Sequence, residues 1–167
     1  MSGRHVNFGL WYDFRNPPPS AVSFEALYRA SLEQISWAET LGFDSVWLTE
    51  LHFCADGYTP SPLVIAAAIG ERTRRMRIGT LVTPVARRRP WILARQTVSV
   101  DRLSEGRLVL GVGLGDPAKW EYGFMHEETD AKVRAQKLDE GLDILAGLWT
   151  GEFFQYQGQH GVEGARG

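Results

Sequence analysis

The stretch Phe43-Asp44-Ser45-Val46-Trp47-Leu48-Thr49-Glu50-Leu51-His52-Phe53 decides the fold, because an apolar strand leads directly into a carboxylate and an imidazole. The continuous apolar run Val46-Trp47-Leu48 is typical of a parallel strand covered on both faces. Reactive groups in such folds lie where strands end, so Glu50 and His52 are candidate functional residues. The alternative is structural, with Glu50 bonded to a neighbouring loop and His52 satisfied and half-buried.

The amino-acid composition is that of an ordinary globular protein. It has 167 residues, of which 44% are hydrophobic and 23% charged, with a formal net charge of -2. This near-neutral balance provides no electrostatic attraction for nucleic acid or an anionic membrane. We interpret the basic clusters at Arg72–Arg77 and Arg87–Arg89 as a solvated helix end and a solvated loop. Cys54 is the only cysteine, so no intrachain disulfide is possible. No segment is long and apolar enough to span a membrane, and we expect a cytoplasmic protein.

Strand and helix patterns alternate along the whole chain. Predicted strands cover residues 6–11, 46–48, 76–82 and 107–113, and predicted helices cover 23–41, 63–73, 91–103 and 131–149. A short hairpin is predicted around Phe153 to Tyr156. Four βα units with short connections imply a parallel sheet with right-handed crossovers.

Two parallel architectures fit this alternation. A doubly wound sheet needs a glycine-rich loop after its first strand, and the sequence around Gly9 has none. The later Gly111-x-Gly113-x-Gly115 is not a dinucleotide fingerprint, because Asp116 stands where the third glycine is required. A complete eightfold barrel needs roughly 250 residues. We therefore predict an α/β fold of the parallel (β/α) TIM-barrel type, truncated to about four βα units, as a single domain over residues 1–167.

Several motifs, in the same order, resemble one enzyme family. They are the stretch 42–53, Arg77-Ile78-Gly79-Thr80 with Pro90 after it, Asp101-Arg102-Leu103-Ser104-Glu105-Gly106-Arg107 with Gly111-Val112-Gly113, and Lys137-Leu138-Asp139-Glu140-Gly141-Leu142-Asp143-Ile144-Leu145. Together they are similar to the bacterial luciferase-like monooxygenases, which are oxidoreductases dependent on flavin or deazaflavin F420. The resemblance covers only the N-terminal half of that family.

The resemblance implies roles for particular residues. Glu50 and His52 match an E-x-H motif beside the flavin ring, and both are candidate catalytic residues, with Glu50 also contacting the cofactor. Leu51 replaces a further histidine of the luciferases and cannot transfer a proton, which argues against light emission. Leu81-Val82 matches a non-prolyl cis peptide that supports the ring. Gly113-Leu114 matches the close approach of the fourth strand, although Leu114 replaces an arginine that holds the flavin phosphate.

The resemblance also implies a cofactor and partners. The cofactor is FMN, with F420 as the alternative, and the substrate is a small molecule. A half-barrel leaves its first and fourth strands as unpaired edges, so we predict a homo-oligomer, a dimer, that completes or covers it. A flavin reductase is compatible as a further partner.

Some alternatives stay open. The chain is either an active flavin-dependent oxidoreductase or a non-catalytic, flavin-binding or structural homologue that lacks the phosphate-binding half. A weaker hypothesis makes Glu50, His52 and His126 the ligands of a hydrolytic metal, although we predict no metal site. Trp120, Tyr122 and Phe124 either line the cavity or pack a loop on a helix.

Overall fold

The computed structural model describes residues 6–59, 61–115, 121–160 and 165–166. The chain divides into two compact units. The first contains the described residues up to Leu81 together with Val100–Val109, and the second contains Val82–Ser99 together with the described residues from Leu110 onwards. That residues 1–167 act as a single domain stays a prediction.

Helices and strands alternate as the sequence predicts. In chain order they are β1 (Gly9–Tyr12), α1 (Phe24–Thr40), β2 (Ser45–Leu48), α2 (Pro62–Arg72), β3 (Arg77–Thr80), β4 (Thr83–Pro84), α3 (Pro90–Leu103), β5 (Leu108–Val109), β6 (Val112–Gly113), α4 (Ala131–Trp149), β7 (Phe153–Phe154) and β8 (Ala165–Arg166). Short 3-10 turns lie at Val85–Arg87 and Gly123–Met125. The predicted strand at 107–113 is in fact two shorter strands, β5 and β6. The predicted strand at 76–82 contains β3, and β4 follows just after it.

The first unit is built on a parallel sheet with the strand order β1-β2-β3-β5. Ser45 of β2 lies opposite Gly9 of β1 and Arg77 of β3, and Ile78 of β3 lies opposite Leu108 of β5. In the described part of the chain β1 and β5 are the outer strands, as predicted. The carboxyl ends of all four strands therefore lie at the same edge of the sheet.

Helix α1 begins and ends where its sequence signals predict. The Ser23 hydroxyl accepts a hydrogen bond from the Ala26 N–H at 3.2 Å, which caps the first turn. Gly42 follows the last turn with φ of 95°, a conformation that costs a glycine little. Ile35 and Ala38 are buried, so the apolar stripe of α1 packs in the core of the unit.

Strand β2 is fully buried on one face and partly exposed on the other. Val46 and Leu48 are fully buried, whereas Ser45 and Trp47 on the opposite face are partly exposed. The expectation of two covered faces is therefore met fully on one face and only in part on the other. The Trp47 indole packs against glycines on both neighbouring strands. A Cβ atom on Gly79 would lie 2.3 Å from Trp47 Cε3, and one on Gly9 would lie 3.2 Å from Trp47 Nε1.

A single arginine joins the elements at the amino-terminal edge of this sheet. Arg107 donates from Nε to the Ser104 carbonyl at 2.6 Å, and from its two terminal nitrogens to the Thr73 hydroxyl and to the carbonyls of Gly70, Thr73 and Met76 at 2.7–2.9 Å. These acceptors lie at the end of α2, at the entry to β3 and after α3. All five N–H donors of the guanidinium are thereby used.

Glu39 fixes the neighbouring turn. Its carboxylate accepts hydrogen bonds from the backbone N–H groups of Arg74, Arg75 and Met76 at 2.7–3.0 Å. Burial raises the pKa of Glu39, but the three backbone hydrogen bonds outweigh burial and the pKa is lowered overall. The ionised Glu39 carboxylate of α1 thus holds the connection between α2 and β3 in place.

The second unit repeats the parallel pairing on a smaller scale. Thr83 of β4 lies opposite Val112 of β6, and β7 pairs with β8 in antiparallel fashion. The Asp130 carboxylate caps α4 by accepting from the N–H groups of Lys132 and Val133 at 2.8 and 2.9 Å. Helix α4 covers residues 131–149 as predicted. In the described ranges, every helix is too short or too polar to cross a membrane.

We expect Arg107→Lys to lower the free energy of unfolding by roughly 2–4 kcal/mol, because lysine keeps the charge but cannot reach all the acceptors of the planar guanidinium. Urea unfolding measures the change. Arg102→Lys is the matched control, since Arg102 is exposed in the last turn of α3. Equal stability of the two variants would show that the Arg107 hydrogen bonds do not hold the unit together.

Candidate functional site

The side chains of Glu50 and His52 lie within ion-pair distance of each other just beyond β2. His52 Nε2 lies 3.1 Å from Glu50 Oε1, and the two side chains are 17% and 1% exposed. The Thr49 N–H donates to the Tyr12 carbonyl at 3.2 Å, which extends the pairing of β1 and β2 to the residue before Glu50. The sequence-predicted pair is therefore brought together at the carboxyl-terminal edge of the sheet, where parallel α/β folds carry their sites.

This arrangement suits proton transfer. A buried carboxylate that contacts one imidazole nitrogen fixes the ring orientation and favours the tautomer with a proton at that nitrogen. An imidazole held in this way can accept or donate a proton at a reacting group. Leu51, the residue between the two, donates its backbone N–H to the Thr59 carbonyl at 3.2 Å and adds no acid or base group.

Two phenylalanines near the ends of β1 and β2 adopt an unusual backbone conformation. Phe14 has φ of 52° and Phe53 has φ of 59°, which are rare values for residues other than glycine. Phe14 is buried, whereas Phe53 directly follows His52 and is 68% exposed. Such conformations cluster at functional sites. Sequence patterns carry no signal for them, and the sequence analysis missed both.

The loops after β1 and β2 are joined to each other. The Arg15 guanidinium donates to the Asp56 carboxylate at 2.6 Å, and the Asn16 N–H donates to the Asp56 carbonyl at 2.7 Å. Arg15 also lies over the Tyr58 ring at 5.5 Å. The hydrogen bond from Arg15 holds the pKa of Asp56 below its usual value. The loop 13–20 is thus joined to the segment that follows His52.

Leu81 ends the first unit close to β2. Its N–H donates to the Leu48 carbonyl at 2.7 Å, and its side chain is 50% exposed. The cis peptide bond among the described residues joins Pro18 to Pro19, so the bond between Leu81 and Val82 is trans. The expectation of a non-prolyl cis peptide there is wrong. Leu81 nevertheless presents an apolar side chain at the same edge of the sheet as Glu50.

The remaining predicted site residues lie in the second unit. Val82 and Gly113 are in close contact, since a Cβ atom on Gly113 would lie 2.8 Å from Val82 Cγ2. The Leu114 carbonyl accepts a hydrogen bond from the Tyr122 hydroxyl at 2.7 Å. The structure therefore brings Val82 and Gly113 together and ties Leu114 to the loop that follows β6.

A buried charged cluster surrounds Tyr122 in this unit. The guanidinium groups of Arg87 and Arg134 lie over the phenol ring at 5.2 and 4.6 Å. Arg87 also pairs with Glu121 and, at 2.9 Å, with Glu127. Arg134 is 1% exposed, and its Nε and Nη1 atoms have no acceptor among the described residues. The positive charges of the two arginines thus balance the negative charges of the two glutamates around the Tyr122 ring.

Tyr122 itself stays neutral at physiological pH. Burial raises its pKa to about 12, although the nearby guanidinium groups of Arg134 and Arg87 act in the opposite direction. The neutral hydroxyl can therefore donate to the Leu114 carbonyl. Of the two interpretations of the aromatic loop, Tyr122 supports packing, Phe124 is 61% exposed, and Trp120 lies outside the described residues.

The hypothesis of a hydrolytic metal finds no support. Within the parts of the chain that the structure describes, no group of three His, Cys, Asp or Glu side chains could hold a metal ion. His126 is exposed at the end of a 3-10 turn.

Known proteins match nearly the whole chain. The sequence profile of the family described as luciferase-like monooxygenase matches residues 6–166. An F420-dependent glucose-6-phosphate dehydrogenase of Microbacterium testaceum is 36% identical over 148 residues, which are 80% of this chain and 43% of that protein. The chain thus spans less than half the length of this curated relative.

Solved structures show the same fold. A monooxygenase from Streptomyces bottropensis has a TM-score of 0.84 and 28% identity over 95% of this chain and 47% of its own. The oxygenating constituent of 3,6-diketocamphane monooxygenase from Pseudomonas putida, solved with FMN, has a TM-score of 0.83 and 23% identity over 95% of this chain and 43% of its own. The described sheet and helices are accordingly part of a parallel α/β barrel.

We expect Tyr122→Phe to lower the free energy of unfolding by about 1 kcal/mol, because the Leu114 carbonyl loses its donor. Because the folded-state pKa of Tyr122 is raised, the contribution of the phenol is complete below about pH 10 and decreases as the pH rises towards about 12. Urea unfolding at pH 8 and pH 11 measures both effects.

Tyr156→Phe serves as the control for this prediction, since Tyr156 lies in the same unit and is only partly buried. We expect it to change stability by less than about 0.5 kcal/mol. A Tyr122→Phe protein as stable as Tyr156→Phe at both pH values would contradict the role given to the Tyr122 hydroxyl.

Proposed function

Because the chain belongs to the luciferase-like monooxygenase family, we propose that it is part of a flavin-type oxidoreductase in which Glu50 and His52 lie beside the ring of FMN or F420. The observation that carries the proposal is the 3.1 Å contact between His52 and the buried Glu50 carboxylate at the end of β2. The catalytic residues are His52 and Glu50. Glu50, Leu81, Val82, Gly113 and Leu114 are the cofactor-binding residues.

The residues of the first unit suit a flat, largely apolar ring. Such rings need apolar contacts together with a few polar groups that fix their orientation. Phe53 and Leu81 expose 68% and 50% of their surface, and Glu50 with His52 supplies the polar groups. Leu114 does not suit the phosphate, because it carries no charge where the luciferases are expected to have arginine.

The protein contributes orientation and proton transfer. When bound, FMN would supply the chemistry of oxygen activation and F420 that of hydride transfer. His52 would hold or move a proton at the ring nitrogen not bonded to Glu50, and Glu50 would keep the imidazole in position. Leu81 and Phe53 would exclude water from the reacting face.

The cofactor can be identified by titration. We expect saturable micromolar binding of FMN or F420, followed by cofactor fluorescence, because Glu50, His52 and Leu81 supply polar and apolar groups at one edge of the sheet. The relative at 36% identity is named for F420, and the structure at 23% identity holds FMN, so both are tested. Failure of both cofactors to bind the wild-type protein would overturn the proposal.

Substitutions separate binding from chemistry. We expect Glu50→Gln and His52→Asn to lower turnover of an alcohol with F420, or of an aldehyde with reduced FMN, by about 100-fold or more while the cofactor still binds. Glu33→Gln on the exposed surface of α1 is the matched control. If the wild-type protein binds the cofactor but shows no turnover, the result would instead favour a non-catalytic homologue. The uncharged Leu114 favours the same alternative.

We further propose a homodimer that completes or covers the half-barrel through the first unit. Phe8, just before β1, and Trp11, on the same face of the sheet as Trp47, are 62% and 59% exposed, which is unfavourable for a monomer. In sedimentation velocity at micromolar concentration we expect a dimer that Trp11→Lys dissociates. Trp37→Lys, which places the same change on exposed α1, is expected to stay dimeric. A wild-type monomer would argue against the dimer.

The remaining partners follow from the cofactor. The substrate is a small molecule, an alcohol or aldehyde in the first screen, and a flavin reductase supplies reduced FMN if FMN is the cofactor. A cytoplasmic location is supported by the single cysteine of the chain, because cytoplasmic proteins rarely contain disulfides and this chain can form none within itself.

A further inference from the structure

His52 lies in a loop whose two ends are hydrogen-bonded to each other. The Leu51 N–H donates to the Thr59 carbonyl at 3.2 Å, so the chain leaves β2, passes through residues 52–58 and returns to the same place. Thr59 is fully buried, which fixes the returning end of the loop in the first unit. The position of the imidazole therefore depends on how the short segment between these two ends is held.

A tight turn inside this loop is connected to the His52 backbone. The Gly57 N–H donates to the Cys54 carbonyl at 3.0 Å, which closes the turn Cys54–Gly57. The Cys54 thiol in turn donates weakly to the His52 carbonyl, with a sulfur–oxygen distance of 3.9 Å. A displacement of this turn would therefore be transmitted to His52.

Asp56 is the residue of this turn on which the contacts with the loop after β1 converge. Its carbonyl accepts from the Asn16 N–H at 2.7 Å, and its carboxylate accepts from Arg15 Nε at 2.6 Å. The second carboxylate oxygen accepts from the Tyr58 N–H at 3.3 Å, which keeps the side chain against its own loop. Hydrogen bonds between ionised partners are shorter and stronger than neutral ones, so the contact with Arg15 is the strongest of the three.

These contacts affect local geometry more than overall stability. The side chains of Arg15 and Asp56 are 48% and 16% exposed, and ion pairs open to solvent stabilise a fold by less than about 1 kcal/mol. Without Asp56 the two ends of the loop would still be held, because the Thr59 N–H also donates to the Asp13 carbonyl at 2.9 Å. Only the middle of the loop would be released, and His52 with it.

We propose that Asp56, held by Arg15, is a positioning residue for His52 that keeps the imidazole 3.1 Å from the Glu50 carboxylate. This inference rests on the proposed function, in which His52 holds or moves a proton. Proton transfer requires a narrow geometry, and small displacements of a catalytic group reduce rates steeply. The loop after β1 thereby acts on the reaction through His52.

The first experiment measures the reactivity of His52 without any cofactor. Diethyl pyrocarbonate modifies accessible imidazoles, and mass spectrometry identifies the modified histidine. We expect the rate at His52, whose side chain is 17% exposed, to rise at least about fivefold in Asp56→Ala and in Arg15→Met, which both remove the charged hydrogen bond. Arg15→Lys keeps a cationic donor and is expected to show a smaller rise.

Two controls separate a local effect from general loosening. Arg29→Met removes an exposed guanidinium group from α1 and is expected to leave the rate at His52 unchanged. His126, which is exposed on a 3-10 turn, is the internal reference in every variant. Unchanged reactivity of His52 in both Asp56→Ala and Arg15→Met, or an equal rise at His126, would overturn the inference.

Steady-state kinetics measure the consequence for the reaction. In the assays used for Glu50→Gln, we expect Asp56→Ala to lower kcat about tenfold and to change KM and the cofactor Kd by less than about twofold, because the loop positions a proton-transfer group. A weaker KM with unchanged kcat would contradict the positioning role and leave the proposed function standing. If the wild-type protein shows no cofactor binding, the proposed function fails, and the reactivity of His52 still decides whether Asp56 positions it.

Discussion

Parallel hydrogen bonding on both edges of β2 is the constraint on which the rest of the first unit depends. The strand is paired with β1 and β3 in a single register, so Val46 and Leu48 must face the helices. A shift by one residue would exchange these side chains with Ser45 and Trp47 and expose the apolar pair. The same register fixes where the chain leaves the sheet, and therefore where Glu50 and His52 meet.

The two edges of this sheet use charge differently. At the amino-terminal edge, Arg107 and Glu39 bind mainly backbone carbonyl and N–H groups, which ties helices and connections into a frame. At the carboxyl-terminal edge, charged side chains contact one another, as in the pair of Glu50 and His52 and that of Arg15 and Asp56. The first arrangement stabilises the backbone, and the second leaves side-chain chemistry available.

The sequence predicts the elements with strong periodicity and clear caps. Helix α4 has its predicted bounds, because its apolar residues recur at helical spacing. The position of Glu50 and His52 at the end of a strand was also predicted, since both directly follow an apolar run, whereas their mutual contact is a finding of the structure. The positive φ of Phe53 and the burial of Arg134 were not, because tertiary contacts decide them and no local pattern encodes them. The trans bond after Leu81 shows that a backbone detail inferred from resemblance need not transfer.

The packing of Trp47 between Gly9 and Gly79 has an evolutionary consequence. The indole occupies the space that a side chain at Gly79 would need, and it approaches the space at Gly9. Replacing either glycine alone would displace the indole, whereas replacing Trp47 alone would leave a void beside two bare backbones. The three positions are therefore epistatic: single replacements are disfavoured, and descendants that change one are expected to have changed another with it.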